Sequence, residues 1–260
     1  MNSTPPTPPP HPIPLCPGLA DGAIVRLAPS RRRILSRTGQ IVTRPRIGVR
    51  LRFRREGSVT LPDGRLAGGD PMTGDCRVLA RKVAPGTYLV ETVIAETAAD
   101  RVVALAVIRF RDQPAHRCRL ALFEGEDPTE VTDDMSGGMG TDSGTIILGE
   151  PLRDPERVYE QDQPFFRPLI DQTNNGEPRA HAATGPSQES LWIWPSGYGD
   201  GLHTPYWGVD RAGSPCFFAV DFGIIANGLH GPVVRCKSVG ASLELVPISR
   251  WQRFLDRWMR

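Results

Sequence analysis

Residues 102–110 read Val-Val-Ala-Leu-Ala-Val-Ile-Arg-Phe, and this run decides the fold class. It is apolar at nearly every position from Val102 to Ile108, so it lacks the two-residue alternation of a strand with one wet face. Its length and β-branched content (Val102, Val103, Val107, Ile108) favour a central strand buried on both faces over a helix. Working back from it, 77–83 and 87–95 read as two strands around the turn Ala84-Pro85-Gly86. Working forward, 119–123, 145–148 and 216–222 carry the same short apolar pattern between glycine and proline breaks.

Further upstream, Val49, Leu51 and Phe53 alternate with Arg50, Arg52 and Arg54. Side chains of a strand point to opposite faces in turn, so one face is apolar and the other an arginine row. Ile34-Leu35 and Ile41-Val42 flank Thr38-Gly39 and predict a hairpin. The expectation is a mainly β, antiparallel, sandwich-like domain with a few short helices. One is placed at 154–163, where Asp154-Pro155-Glu156 gives a helix start, and one at 248–259, where Trp251, Phe254, Leu255 and Trp258 recur at helical spacing.

Residues 1–20 form a proline-rich leader, with eight prolines before residue 18 (Pro5, Pro6, Pro8, Pro9, Pro10, Pro12, Pro14, Pro17). Such a tract has few donors and little apolar surface, which predicts an extended or disordered tail. Residues 21–260 then make one β-rich domain. The polar, aperiodic stretch 172–188 reads as a long mobile loop, and a division there into two sub-lobes stays open.

Composition bounds the rest. The chain has 260 residues, 39% hydrophobic and 23% charged, which suits a globular domain that needs no staples to fold. A net charge of +2 identifies no nucleic-acid partner. Five cysteines (Cys16, Cys76, Cys118, Cys216, Cys236), an odd number with no CxxC pair, predict neither a disulfide framework nor a zinc knuckle. No run approaches the roughly 20 apolar residues of a membrane span, and the start lacks a signal-peptide pattern. A cytoplasmic setting is expected, with no cofactor and no metal.

Two glycine-rich stretches carry the candidate site. Ser136-Gly-Gly-Met-Gly-Thr-Asp-Ser-Gly leads into the strand at 145, and Ser196-Gly-Tyr-Gly-Asp-Gly-Leu-His precedes Tyr206-Trp-Gly. Glycines on both sides of Asp200 let the chain carry that carboxylate to an exposed tip. If the two stretches meet, Asp142, Ser196, Tyr198, Asp200, His203 and Tyr206 form a rim. Trp192 and Trp194, two apart, share a face and are assigned to the core.

The run Leu61-Pro-Asp-Gly-Arg-Leu-Ala-Gly-Gly-Asp-Pro, then Val83-Ala-Pro-Gly-Thr-Tyr-Leu-Val, then Arg101-Val-Val-Ala, resembles a bacterial family called domain of unknown function 4241. Thr141-Asp142-Ser143-Gly144-Thr145 is similar to that family's Asp-Ala-Gly segment, and Ser196 through Gly208 to its Ser-Gly-Trp/Tyr-Gly-Asp-Gly loop before Tyr-Trp-Gly. The resemblance covers roughly residues 55–225 in order. Leu89 departs from it, standing where the family has a second proline. It implies a β-rich fold and supplies no activity.

Three functions remain open on the residues. The preferred one is an interaction protein that binds another protein through the rim, within a bacterial conflict or defence system. The second is a metal-assisted hydrolase or phosphodiesterase using Asp142, Asp200 and His203. The third is a nucleic-acid binder through the Arg31–Arg55 face, with Arg50, Arg52 and Arg54 on phosphate. No GxSxG elbow or P-loop occurs, and no catalytic residue is assigned.

Overall fold

The computed structural model describes residues 14–15, 19–26, 33–35, 41–43, 48–73, 76–96, 101–127, 138–158, 165–225, 234–239 and 242–247. The first strands are β1 (Ile24–Arg26), β2 (Arg33–Leu35), β3 (Ile41–Thr43), β4 (Gly48–Leu61), β5 (Ala67–Gly69) and β6 (Arg77–Val78). Then come β7 (Gly86–Glu96), β8 (Arg101–Arg109), β9 (Arg117–Leu120), β10 (Met139–Thr141) and β11 (Thr145–Gly149). A helix α1 (Arg167–Asn175) precedes β12 (His181–Thr184), β13 (Ser190–Pro195), β14 (Gly201–Val209), β15 (Pro215–Asp221), β16 (Val234–Val239) and β17 (Ser242–Pro247).

The fold is mainly antiparallel β, in two main sheets and a separate two-stranded one. The larger runs β1-β4-β7-β8-β15-β14-β9-β17-β16, with β10 added alongside β14; the smaller runs β12-β13-β11-β5-β6. The decisive run is β8, buried from Val102 to Arg109 and flanked by β7 and β15. β2 and β3 pair as the expected hairpin.

The sheets are joined through β4. Its apolar residues keep odd numbers throughout, yet the buried face changes sides. Phe53 pairs with Val93, but a bulge between Arg55 and Gly57 shifts the register so that Val59 pairs with Tyr88. Cross-strand partners share a face, so Val49 and Leu51 are buried on one side of the sheet and Val59 and Leu61 on the other. Glu56, the extra residue, turns inward to bind the Arg54 guanidinium at 3.1 Å and accept from the Ala180 N–H at 3.2 Å. The smaller sheet packs against the second side. A Cβ on Gly57 would lie 2.6 Å from the Trp192 ring, so only glycine lets that indole approach the backbone. Trp192 Nε1 donates to the Ser58 carbonyl and Trp194 Nε1 to Thr92 Oγ1, each at 3.0 Å. Both indoles are therefore core, as expected, with their polar edges satisfied.

Several expectations are corrected. The stretch 172–188 is not one loop: α1 runs to Asn175 and β12 follows. α1 packs Ile170 and Thr173 inward, and β12 pairs with β13, which ties this region to the smaller sheet. The packed unit begins ahead of residue 21, because Leu15 and Leu19 are buried and the Ala115 N–H donates to the Leu15 carbonyl. The helix expected at 154–163 is a 3-10 turn, Glu156–Val158, in the described part. The strand expected at 77–83 covers only β6, with Leu79 bridging to Phe123. The helix expected at 248–259 and the leader before residue 14 lie outside the described residues. Cys118 and Cys216 are core thiols and Cys76 is half-buried, with no disulfide among them. No helix among the described residues is long and apolar enough to cross a membrane.

Candidate functional site

At one end of the sandwich the chain changes sheets twice, side by side. Residues 142–144 carry it from β10 in the larger sheet to β11 in the smaller. Residues 196–200 carry it from β13 back to β14. The strands on both sides of these corners are paired, β10 with β14 and β11 with β13, so the corners must touch. The Ser196 N–H donates to the Gly144 carbonyl at 2.9 Å. A Cβ on Gly144 would sit 3.7 Å from Gly199 Cα, and both glycines have positive φ, at 67° and 106°.

A buried acid holds the first corner. Asp70 is fully buried, and its Oδ1 accepts the Met72 N–H at 2.7 Å. Its Oδ2 accepts the Asp142 and Ser143 N–H groups at 2.6 and 2.9 Å. From α1, Asn174 Nδ2 donates to the Ser143 carbonyl at 2.8 Å. The Ser143 hydroxyl turns inward to Thr145 Oγ1 at 2.8 Å. The second corner closes on itself, with Ser196 Oγ donating to the Gly199 carbonyl at 2.8 Å and the Gly199 N–H returning to Ser196 O. The backbone of the rim is thus fixed from beneath by buried Asp70, Ser143 and Ser196, and from α1 by the exposed Asn174.

The six residues predicted from sequence divide between surface and interior. Asp142 and Asp200 are exposed, and Tyr198 is 47% exposed. Ser196 is buried, and its hydroxyl serves the corner. His203 and Tyr206 are buried too, because they belong to β14 proper and not to the loop before it. His203 lies opposite Met139 and meets the Phe222 ring edge-on at 5.0 Å. Among the described residues no three His, Cys, Asp or Glu side chains are grouped to hold a metal, so Asp142, Asp200 and His203 are not a ligand set.

Sequence reasoning missed three contributors. Leu202, 55% exposed, stands beside the corner with Tyr198. Asp70 had a signal, since Asp70-Pro71 closes the first run that carries the resemblance, but nothing in it told of a partner 72 residues away. Asn174 had none.

The arginine row on β4 is partly spent inside the fold. Arg52 pairs with Glu96 at 3.1 Å, and Arg101 reaches the other oxygen of that carboxylate at 3.2 Å. Arg54 pairs with Glu56 and, at 3.5 Å, with Glu177. Arg50 is exposed on the same face. Arg52 and Arg54, each paired with a carboxylate, make a charged sheet face of the kind that resists edge pairing.

No curated protein and no solved structure matches the chain. The profile of the family described as "Protein of unknown function (DUF4241)" matches residues 59–220. That span takes in Asp70, both corners of the rim and the central strands β7, β8, β14 and almost all of β15. Since it covers well over half of the sequence, the chain belongs to the DUF4241 family.

Proposed function

We propose that this chain is a binding module that recognises another protein through the rim built by residues 142–144 and 196–202. The observation that carries the reading is the contrast between a frame anchored on the buried side chains of Asp70 and Ser196 and what it displays. Asp70, Asn174 and Ser196 fix the backbone, while Tyr198 and Leu202 stand out into solvent with Asp142 and Asp200 on the same two corners. A rigid loop loses little conformational freedom on binding, and an exposed tyrosine is the kind of side chain that anchors protein interfaces. The two carboxylates suit a partner surface bearing Arg or Lys, which would add orientation and speed of association. The thiols of Cys76, Cys118 and Cys216 suit a reducing compartment, which is where we place the encounter.

Neither rival has equal support. The hydrolase needs three ligands that do not gather; of the Arg31–Arg55 face, Arg52 and Arg54 are paired with Glu56, Glu96 and Glu177, and residues 31–32, 36–40 and 44–47 lie outside the described residues.

The test places a photo-crosslinking amino acid at position 198 and, as a control, at exposed Asp112, in the full chain expressed in its native host. One protein adduct specific to position 198, lost in a D142N/D200N background and in L202S, is expected. Equal adducts at both positions, or an adduct at 198 that survives all three substitutions, would refute the reading.

A further inference from the structure

The smaller sheet ends in a strand whose outer edge is only partly closed. β12 pairs with β13 on one side, and among the described residues no strand pairs with its other side. The hairpin that joins the two strands fixes which backbone groups face that edge. The Gly185 N–H donates to the Glu189 carbonyl at 3.0 Å, so these two residues form a hydrogen-bonded pair. Bonded and non-bonded pairs alternate along an antiparallel ladder. Counting back in register, Ala183 and His181 bond to Leu191 and Ile193, while Thr184 and Ala182 turn their N–H and C=O groups outward. Two other bonds agree with this phase. The Ser190 carbonyl, opposite Thr184, points away from β12 to accept the Glu150 N–H at 3.0 Å, and the Ala180 N–H points outward to Glu56 Oε1 at 3.2 Å.

Along this flank of the sandwich, side chains close the neighbouring edge groups. On β4 the Thr60 N–H donates to Ser190 Oγ at 3.1 Å, and the Ser58 carbonyl accepts from Trp192 Nε1 at 3.0 Å. Glu56 does the same for Ala180. Ala182 and Thr184 are exposed, and among the described residues no side chain covers their outward groups. Edge strands commonly refuse other strands by carrying a charge, a proline or a bulge. The stretch Ala182-Ala183-Thr184-Gly185 has no charge and no proline, and its register against β13 runs without a shift.

We propose that this edge pairs with the same edge of a second copy of the chain, antiparallel about a two-fold axis through Ala183. Ala182 of each copy then faces Thr184 of the other, and each facing pair closes two backbone hydrogen bonds. A two-fold axis brings like residues together, so a charge near its centre would meet its own kind. Here Ala183 meets Ala183, with only small uncharged side chains beside it. The ladder stops at Ala180, whose N–H Glu56 already holds, and in that register Ala180 comes opposite the uncharged turn Gly185-Pro186-Ser187-Gln188 of the second copy. A foreign strand would ask only for open backbone groups. A second copy asks in addition for a sequence that tolerates itself, and this stretch meets that demand. Two five-stranded sheets then become one, without use of the rim.

The experiment follows the ¹⁵N-labelled full chain by sedimentation equilibrium and amide hydrogen exchange from about 10 µM to about 1 mM, the range open to an interface of a few backbone hydrogen bonds. The mass should rise from one chain towards two. Exchange at the Ala182 and Thr184 amides should slow severalfold in step with it, while the His181 and Ala183 amides, already bonded to β13, stay as they are. A182P removes an outward N–H and no bond to β13, which is where an edge strand accepts proline. It should fold as wild type does and weaken the dimer by about tenfold or more, since each copy loses one bond across the seam. Y198A should leave the dimer intact. A chain that stays single at about 1 mM, protection that builds up away from Ala182 and Thr184, or full affinity in A182P would each overturn the proposal. The wild-type exchange map decides the matter even where A182P damages folding.

Discussion

Replacing Asp70 by asparagine should loosen the rim without touching any exposed residue. The carboxylate accepts three backbone N–H groups, from Met72 on one oxygen and from Asp142 and Ser143 on the other. Hydrogen bonds to a charged group contribute about 1.5–3 kcal/mol each, so the gross interaction is about 4.5–9 kcal/mol. Asparagine keeps one acceptor oxygen. If that oxygen serves Met72, the new –NH₂ faces two donors; if it serves Asp142 and Ser143, the –NH₂ faces one. One or two charge-assisted bonds are lost either way, at the centre of a site too buried for water to replace them easily, and we expect D70N to cost about 2–5 kcal/mol. For a chain of this size that corresponds to a fall in Tm of roughly 5–20 °C. Urea unfolding gives the free energy, and hydrogen exchange gives its location, since the Asp142 and Ser143 amides should lose protection ahead of β8. Partner capture through Tyr198 should weaken as well, although Tyr198 is unaltered. A D70N protein within about 0.5 kcal/mol of wild type, with unchanged exchange at those two amides, would show that the frame is not what holds the corner.

Two further outcomes test other parts of the argument. Glu91 and Arg109 form an ion pair at 2.7 Å with both side chains buried, so E91L alone should cost about 3–5 kcal/mol, whereas E91L/R109M should recover most of that in denaturant unfolding; a double variant as unstable as the single would refute it. The Asp210 carboxyl is held below the ordinary aspartate range by the Ser214 N–H, with partial burial opposing and Arg111, the Ala212 N–H and Gln113 reinforcing. Its contribution to stability is complete above the unfolded-state value of about 3.9 and is lost as pH falls through the lower folded-state value. Urea midpoints of wild type and D210N should therefore converge below about pH 4, and a gap that stays constant from about pH 6 to about pH 3 would contradict this.

What the sequence displays and what it hides follow from the range of the forces involved. The buried strand at 102–110, the alternation at 49–53 and the inward Trp192 and Trp194 are local patterns, imposed by side chains that must leave water, and each is legible within ten residues. α1 was misread because its sequence, Arg-Pro-Leu-Ile-Asp-Gln-Thr-Asn-Asn, is rich in weak helix formers and has no side-chain cap at Phe166. Ile170 and Thr173 hold it in place by packing inward, which is tertiary information. His203 and Tyr206 were misplaced for a related reason. Their closeness to the glycine loop assigned them to the rim, yet β14 begins at Gly201, and from there pairing with β10, β9 and β15 fixes which side chains enter the core.

The bulge at Glu56 shows why pattern alone could not have located the second sheet. Odd-numbered apolar residues run on from Val49 to Leu61 as though one face were buried throughout, and only the register against β7 reveals that the face has changed. Glu56 spends its buried carboxylate on Arg54 and the Ala180 amide, and the glycine after it admits the Trp192 ring; together they bring the smaller sheet onto β4. That placement lets β10–β11 and β13–β14 cross between sheets at the same corner, and the crossing brings Asp142 and Tyr198 to one rim. A bulge in β4 therefore fixes the geometry of a surface made by residues more than eighty positions further along the chain.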